Sequence, residues 1–419
     1  MKQDYDILIV GAGIIGSSLA LALSSLPLRI ALIEQSSFKS LDEALPAQSK
    51  PIALNLASLR ILQTLNLWTA LEMYANPINS VHISQQACFA QSRMNAKELG
   101  VPQLGAVIPA DRLGYELTKA LLQVGASKRA QGSLDLYNPA LCESINQHEG
   151  VWQVVFSHLQ NEKKIIYPRL IIAADGTHST VRSLLKIGLN IRPTSEAVLT
   201  TFIDISRHHR HIAYQRFTKQ GIIACLPLLA NKIGLVWTSE PKTIEALQNL
   251  TASEFLENLQ QHFSYRFGKL LHYTPPQIYP LKSCISATQA QAGLILLGNA
   301  AHTLLPIAAQ GLNLGLQDMA ECVDLIVHAL QQHKDLADAS LAQSYLNARL
   351  TAQRQIIRFT ERLTRLQPRF GPLTFIYNNG LLAMDLLPRC KRNLSHRLMG
   401  IHGRLPGLTR GLTLQKEEY

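Results

Sequence analysis

Residues 5–16 read YDILIVGAGIIG, an apolar run of strand length that passes directly into G-x-G-x-x-G, and residues 17–24 continue it as a helical run. Apolar residues without polar alternation fit a parallel strand buried on both faces. In such a turn Gly11 allows the tight bend, Gly13 lets a pyrophosphate approach the backbone, and Gly16 lets the helix pack closely. The next strand, 29–33, ends at Glu34. That carboxylate stands about twenty residues beyond the turn, where an acid accepts a ribose 2′-OH. An acid there disfavours a 2′-phosphate, so the expected nucleotide is an ordinary adenosine diphosphate moiety. Strand, turn, helix, strand and acid in register define a nucleotide-binding unit, but the fingerprint does not separate FAD from NAD.

Two further stretches belong with it. Residues 171–182 read IIAADGTHSTVR. The apolar run places Asp175 and Gly176 at the carboxyl edge of a parallel sheet, where ligands of such sheets bind; a plain turn with Asp175 as helix N-cap is the alternative. His178 reads as an exposed turn residue. Residues 293–318 read GLILLGNAAHTLLPIAAQGLNLGLQD, an apolar strand, a small-residue turn, a proline loop and a helix start. Gly298, Ala300 and Ala301 admit a close neighbour. The unpaired N–H groups near Gly311, Leu312 and Asn313 suit an electron-rich atom.

The chain has 419 residues, 47% hydrophobic and 16% charged. The composition is globular and the length asks for two intertwined domains. Cys88, Cys142, Cys225, Cys284, Cys322 and Cys390 form no C-x-x-C pair. That argues against a zinc site and a secreted disulfide framework, and for reduced, cytoplasmic thiols. Asp4 and Asp6 lead straight into the first strand, so no signal peptide is read, and no apolar run is long enough to span a bilayer. The net charge is +11, but residues 349–410 hold twelve Lys and Arg against only Glu361 and Asp385 and so account for ten of those charges. A charge this local is not a nucleic-acid footprint. It leaves a solvated helical face, or a contact with an anionic surface or acidic partner.

Between the motifs, residues 49–71 read as a polar turn and an amphipathic helix, 81–89 as a strand, and 104–122 as a strand and helix with Asp111 as N-cap. Alternation at 198–239 predicts an antiparallel sheet that interrupts the nucleotide unit and serves as a substrate wall. Residues 252–263 read as helix, 279–287 as strand, and 312–333 and 341–366 as helices. No metal cluster, Ser-His-Asp set or carboxylate pair competes for the chemistry.

GAGIIG with Glu34, ADGTHSTVR and LLGNAAHTLLPIAAQGLNLGLQD, in this order, resemble the single-component FAD-dependent aromatic hydroxylases. The third motif is most similar to the ubiquinone-biosynthesis hydroxylases, with Asn299 resembling the 2-polyprenyl-6-methoxyphenol hydroxylase branch. The resemblance implies an α/β fold: a Rossmann-like FAD-binding domain, an inserted mixed or antiparallel-sheet substrate domain, and a helical C-terminal region. The expected division is 1–75, 101–185 and 289–365 for FAD, 76–100 and 186–288 for substrate, and 366–419 for the basic C-terminal region.

The resemblance further implies that reduced flavin takes up O2 at C4a and that the hydroperoxide oxygenates a polyprenylated phenol. FAD contacts would come from Gly11, Gly13, Gly16, Glu34, Lys50, Arg112, Asp175, Gly176, Gly298, Asn299, Gly311, Leu312 and Asn313. His302 and Pro306 are the candidate catalytic residues, Pro306 with Ile307 as a dry ceiling and His302 with a flavin-side or packing role as its alternative. Three positions depart from the family pattern. Asn299 stands for a usual Asp, Lys50 for an arginine, with loss of bidentate geometry, and Ala309 for a frequent glycine.

No second nucleotide fingerprint follows, so NAD(P)H or another electron donor is expected not to be tightly bound. The basic C-terminal region, with apolar residues 372–388, fits either the inner face of the cytoplasmic membrane or packing on the FAD domain or on other ubiquinone-biosynthesis proteins. An FAD-dependent isoprenoid reductase or oxidase and a non-catalytic flavoprotein scaffold are the competing readings. A flavin halogenase lacks support because W-x-W-x-I-P is missing.

Overall fold

Strand Tyr5–Val10 lies inside a sheet, paired in parallel with Arg29–Ile33 on one side and Pro168–Ala173 on the other. The sheet continues to Ser133–Tyr137 beyond the former and to Leu294–Leu296 beyond the latter, both parallel, with Ala290–Gln291 closing it antiparallel. Ile7, Leu8 and Ile9 are completely buried, each side chain stabilising the fold by roughly 1.5–3 kcal/mol. Ile7 and Ile9 face a core built with helices Ile14–Leu23, Ala110–Ala126 and Gln310–Gln331. Leu8 and Val10 face Trp152, Val154 and Phe156 of a three-stranded meander. Covered on both faces, the strand is apolar from Ile7 to Val10, and its charged residue Asp6, near the start, pairs with Arg29.

The structure, a computed structural model, describes residues 3–38, 49–86, 91–127, 132–159, 162–192, 196–305, 309–365 and 388–413. Pro306, Ile307 and residues 372–387 of the C-terminal segment lie outside them.

A second sheet is assembled from two distant stretches. Ala197–Ile205, Lys232–Ser239, Gly221–Pro227 and Ile212–Thr218 pair antiparallel in that spatial order. Ser80–Gln85 then joins Ile212–Thr218 in parallel and carries Gln91–Asn95 at the edge. The sheet is therefore mixed. Its outer face packs Trp237, Leu235 and Cys225 against Phe255, Leu259 and Phe263 of helix Ala252–Phe263, which starts in a Thr251–Glu254 capping box.

Several local expectations change. Pro51–Asn55 is a strand paired with Gly105–Pro109, not a turn. The helix starts one residue later because the Asn55 side chain accepts the Ser58 N–H and caps it. Asp111 is not an N-cap: Pro109 holds that place, and the Asp111 N–H donates to Ser49 Oγ. The stretch read as one strand over 279–287 is two, Gln277–Pro280 and Ser283–Ser286, which pair with different sheets.

Residues 388–413 fold back onto the nucleotide side. Met399 O accepts the Ala57 N–H and Leu398 O accepts from Asn55 Nδ2. Leu408 is buried in the main core, and the Asp324 carboxylate accepts the Gly407 N–H. This part of the basic region follows the packed reading, while Arg389, Arg392 and Arg397 remain exposed.

Three separate elements are joined at one buried carboxylate. Asp318, inside helix Gln310–Gln331, accepts from His302 Nε2 at 2.7 Å, Arg349 Nε at 2.5 Å and Gln353 Nε2 at 2.9 Å. Arg349 and Gln353 come from helix Ala339–Arg365. Burial alone would raise the Asp318 pKa, but the Arg349 charge and the His302 hydrogen bond outweigh it and hold the carboxyl below its usual 3.8. A depressed carboxyl pKa contributes stability above the unfolded value, lost as pH falls through the folded one. Removing one partner of such a pair leaves a buried charge uncompensated. Arg349→Met should lower the unfolding free energy by about 3–5 kcal/mol at pH 7. In urea titrations the gap to wild type should narrow as pH is taken below 3.8.

Candidate active site

All three sequence motifs meet at the carboxyl ends of the parallel strands. Gly11, with φ of +98°, sits against the second motif: an added β-carbon would lie 2.7 Å from both the Ala174 carbonyl oxygen and Asp175 Cα. Gly16 is closed by the Gly11 carbonyl oxygen, 1.9 Å from where its β-carbon would fall. The third motif arrives on the other side. Gly298, with φ of +56°, faces Ile15, and a β-carbon on Gly315 would come within 3.1 Å of both Gly298 Cα and Ile15 Cδ1. Buried Arg182 ties the second motif to the third, donating to Ala300 O at 2.9 Å and to Thr177 O at 2.6 Å.

Gly13 has no such protein reason: a β-carbon there would meet nothing within 4 Å, whereas Gly176, equally open, is held to glycine by a left-handed φ of +83°. Beside Gly13 opens a cleft of about 310 Å³ lined by Ala12, Glu34, Ser36, Asp111, Tyr115 and Thr118, among others. Glu34 stands in its wall, accepting the Ala12 N–H at 2.7 Å and the Ser36 N–H at 2.8 Å. Asp111, Tyr115 and Thr118 were not anticipated as lining; they arrive because Gly105–Pro109 swings its helix across the nucleotide turn.

Asp175 Oδ2 accepts the Val181 N–H at 3.1 Å, while Oδ1 is buried with no partner. Burial raises this carboxyl's pKa against the hydrogen bonds from Ser179 and Val181. An orphaned acceptor beside Gly176 offers itself to a ligand hydroxyl. Asn299 is exposed at the same end of the sheet. These features fit FAD: a phosphate-sized gap at Gly13, an acid in the adenosine-side cleft, and polar groups at Asp175 and Asn299.

The other expected residues have protein partners of their own. The Asn313 side chain has no capacity left: Oδ1 accepts from Asn55 N and Ser58 Oγ, and Nδ2 donates to Ala53 O and Ala309 O. It fastens the helix start to Pro51–Asn55, so only the backbone near Gly311 and Leu312 can face a ligand. Lys50 Nζ lies 5.6 Å from the centre of the Tyr279 ring, and the Arg112 guanidinium lies 4.1 Å from that of Tyr74. His302, whose side chain is 0% exposed, is held on Asp318. A carboxylate only accepts, so Nε2 carries the proton. This geometry fits the packing alternative for His302, while its Nδ1 is buried with no hydrogen-bond partner.

One apolar cluster escaped the sequence reading. Leu305 of the third motif packs with Phe217 and Ile222 of the mixed sheet, and Ile83 and Leu281 border them. The loop that follows Asn299 therefore faces a dry wall.

A dinucleotide turn, a second motif at the sheet edge and a glycine loop under an apolar wall define an FAD-dependent monooxygenase. The profile of the FAD binding domain family matches residues 4–360, and the chain belongs to that family. It is similar to the 3-demethoxyubiquinol 3-hydroxylase of Escherichia coli, with 28% identity over 96% of this chain and 100% of that one. It is also similar to the ubiquinone hydroxylase UbiM of Neisseria meningitidis, with 27% identity over 96% of this chain and 86% of that one. Among solved structures, the p-nitrophenol 4-monooxygenase PnpA of Pseudomonas putida superposes with a TM-score of 0.73 at 14% identity, covering 96% of this chain and 100% of that one. This last likeness concerns the fold.

The glycines separate ligand contact from packing. Gly13→Ala should leave the melting temperature of the FAD-free protein unchanged while weakening FAD binding in fluorescence titrations. Gly11→Ala should cost about 3 kcal/mol of stability, from left-handed strain and overlap together. Ala309, the N-cap of helix Gln310–Gln331, is itself left-handed at φ +51°. Ala309→Gly should relieve about 1 kcal/mol and raise the melting temperature.

Proposed function

We propose that this protein hydroxylates the aromatic ring of a polyprenylated (methoxy)phenol in ubiquinone biosynthesis, consuming O2 and electrons from a transiently bound donor such as NAD(P)H. The observation that carries the reading is Leu305 packed on Phe217 and Ile222 beside the Gly298–Asn299 turn. An electron-rich ring and an isoprenoid tail need a water-poor surface at the cofactor's reactive edge. Full-length relatives named as hydroxylases of ubiquinone or demethoxyubiquinol support the substrate class.

Bound FAD supplies the two-electron chemistry that activates O2. Glu34 would hold the ribose hydroxyls, Gly13 would admit the pyrophosphate, Asp175 would accept from a sugar-like hydroxyl, and Asn299 would donate to or accept from another. The N–H groups near Gly311 and Leu312 would stabilise negative charge on the ring system. Leu305, Phe217 and Ile222 exclude water and hold the substrate ring in place. His302 acts through Asp318 as a positioning residue, keeping the loop between Asn299 and Gly311 in register with its helix.

In this reading the FAD side comprises 1–75, 101–185 and 289–365, and the substrate side 76–100 and 186–288. Among the described residues no helix is long and apolar enough to cross a membrane. We assign the meeting with an anionic membrane surface, from which a polyprenyl substrate would be drawn, to the exposed Arg389, Arg392 and Arg397.

The test is turnover of a short-chain prenylated methoxyphenol by FAD-loaded protein and reductant under ¹⁸O2. The product should gain a single ¹⁸O atom on the ring, and none should form without oxygen. Product formed anaerobically, or without label, would replace this reading by a reductase or oxidase.

A further inference from the structure

Strands Ser80–Gln85 and Ile212–Thr218 turn Ile83 and Phe217 towards Leu305. Their alternate residues lie on the opposite face, where cross-strand pairing sets His82 beside Tyr214, Ser84 beside Arg216, and Arg93 beside His82. From the turn after helix Ala252–Phe263, Arg266 reaches the same place. Its Nη1 donates to His82 Nδ1 at 3.0 Å, and its guanidinium lies 5.8 Å from the centre of the Tyr214 ring. Arg216 Nη1 donates to Ser84 Oγ at 3.2 Å, and its Nε is buried with no hydrogen-bond partner.

The charges of Arg216 and Arg266 gather on this face. Arg29, Arg169, Arg192 and Arg349 each pair with a carboxylate, whereas among the described residues no carboxylate pairs with Arg216 or Arg266. Residues 87–90, which join the two edge strands, contain no acid. His82 accepts from Arg266 and lies 2.8 Å from Gln91 Oε1 through Nε2, an arrangement that suits the neutral ring and adds no negative charge. Burial lowers the Arg216 pKa, and the charge of Arg266 lowers it further. Guanidinium groups crowded on a half-buried face are relieved by an oxyanion that accepts from both, and two positive charges match a dianion.

We propose that Arg216 and Arg266 form a binding site for a phosphate-type dianion, free or carried on a monoester, on the rear face of the sheet whose front face meets the flavin loop. The anion bridges strand Ile212–Thr218 to the turn bearing Arg266, and through Ser84 and His82 to the edge strands. Binding braces the strands that hold Ile83 and Phe217 against Leu305.

Calorimetric titration of the FAD-loaded protein, its pyrophosphate site already filled, tests this with inorganic phosphate and with methyl phosphate at constant ionic strength. Saturable binding of one anion per chain is expected, weakened about tenfold or more by Arg216→Gln and by Arg266→Gln, as loss of a charge-assisted hydrogen bond requires. Tighter binding of inorganic phosphate assigns the site to the free ion, and tighter binding of methyl phosphate to a ligand-borne group. Absence of saturable binding, or equal affinity in wild type and both variants, would overturn the proposal. Should Arg216→Gln not fold, the exposed Arg266→Gln carries the comparison.

Discussion

The close approach of Gly11 to the end of strand Pro168–Ala173 is the contact on which the site depends. With 2.7 Å between a would-be β-carbon and the Ala174 carbonyl oxygen, no side chain can stand between the nucleotide turn and the Asp-Gly motif. The two motifs therefore share one edge of the sheet. Gly298 and Gly315 repeat the device on the other side, letting helix Gln310–Gln331 settle on Ile15. Gly13 differs from them: it has neither a positive φ nor a neighbour within 4 Å of a would-be β-carbon, so protein packing does not account for a glycine there.

Polar groups hold what the glycines bring together. Asp318 fastens strand His302–Thr303 to two long helices, Arg182 fastens the second motif to the third, and Asn313 fastens the helix start to Pro51–Asn55. Each side chain is buried and spends its hydrogen-bonding capacity on protein, so each steadies the segments it joins. The cost of leaving any of these groups unpaired in the interior accounts for how completely they are engaged. The wall opposite is of another kind. Leu305, Phe217 and Ile222 carry no hydrogen-bonding side chains, and their contribution is to keep water away.

Much of this was legible in the chain because it rests on local chemistry. The strand at 5–10, the glycine turn, Glu34, the Asp-Gly turn and helix Ala252–Phe263 each follow from neighbours within a few residues. Other features were not legible because their partners lie far away. Nothing near Asn313 announces that Asn55 and Ser58, more than 250 residues earlier, will fill its hydrogen bonds. Pro51–Asn55 resembled a turn because the strand that completes it begins at Gly105. Nothing near His302 announces that Asp318, in the helix that follows, accepts from its Nε2.

The sequence by itself determined the class of fold and a dinucleotide as ligand, and only the resemblance of its three motifs to a flavin family singled out FAD. Spacing of glycines, acids and apolar runs specifies backbone conformations that a parallel sheet and a dinucleotide require. Tertiary structure alone decided which side chains of those motifs remain free. A residue's hydrogen-bond partners depend on chain segments brought together from anywhere along its length, and burial then makes those pairings obligatory. The same limit governs the mixed sheet. Period-two alternation shows that Ile83 and Phe217 face away from Ser84 and Arg216, but only the packing of Leu305 on one side and Arg266 on the other says which face meets the flavin loop and which gathers positive charge.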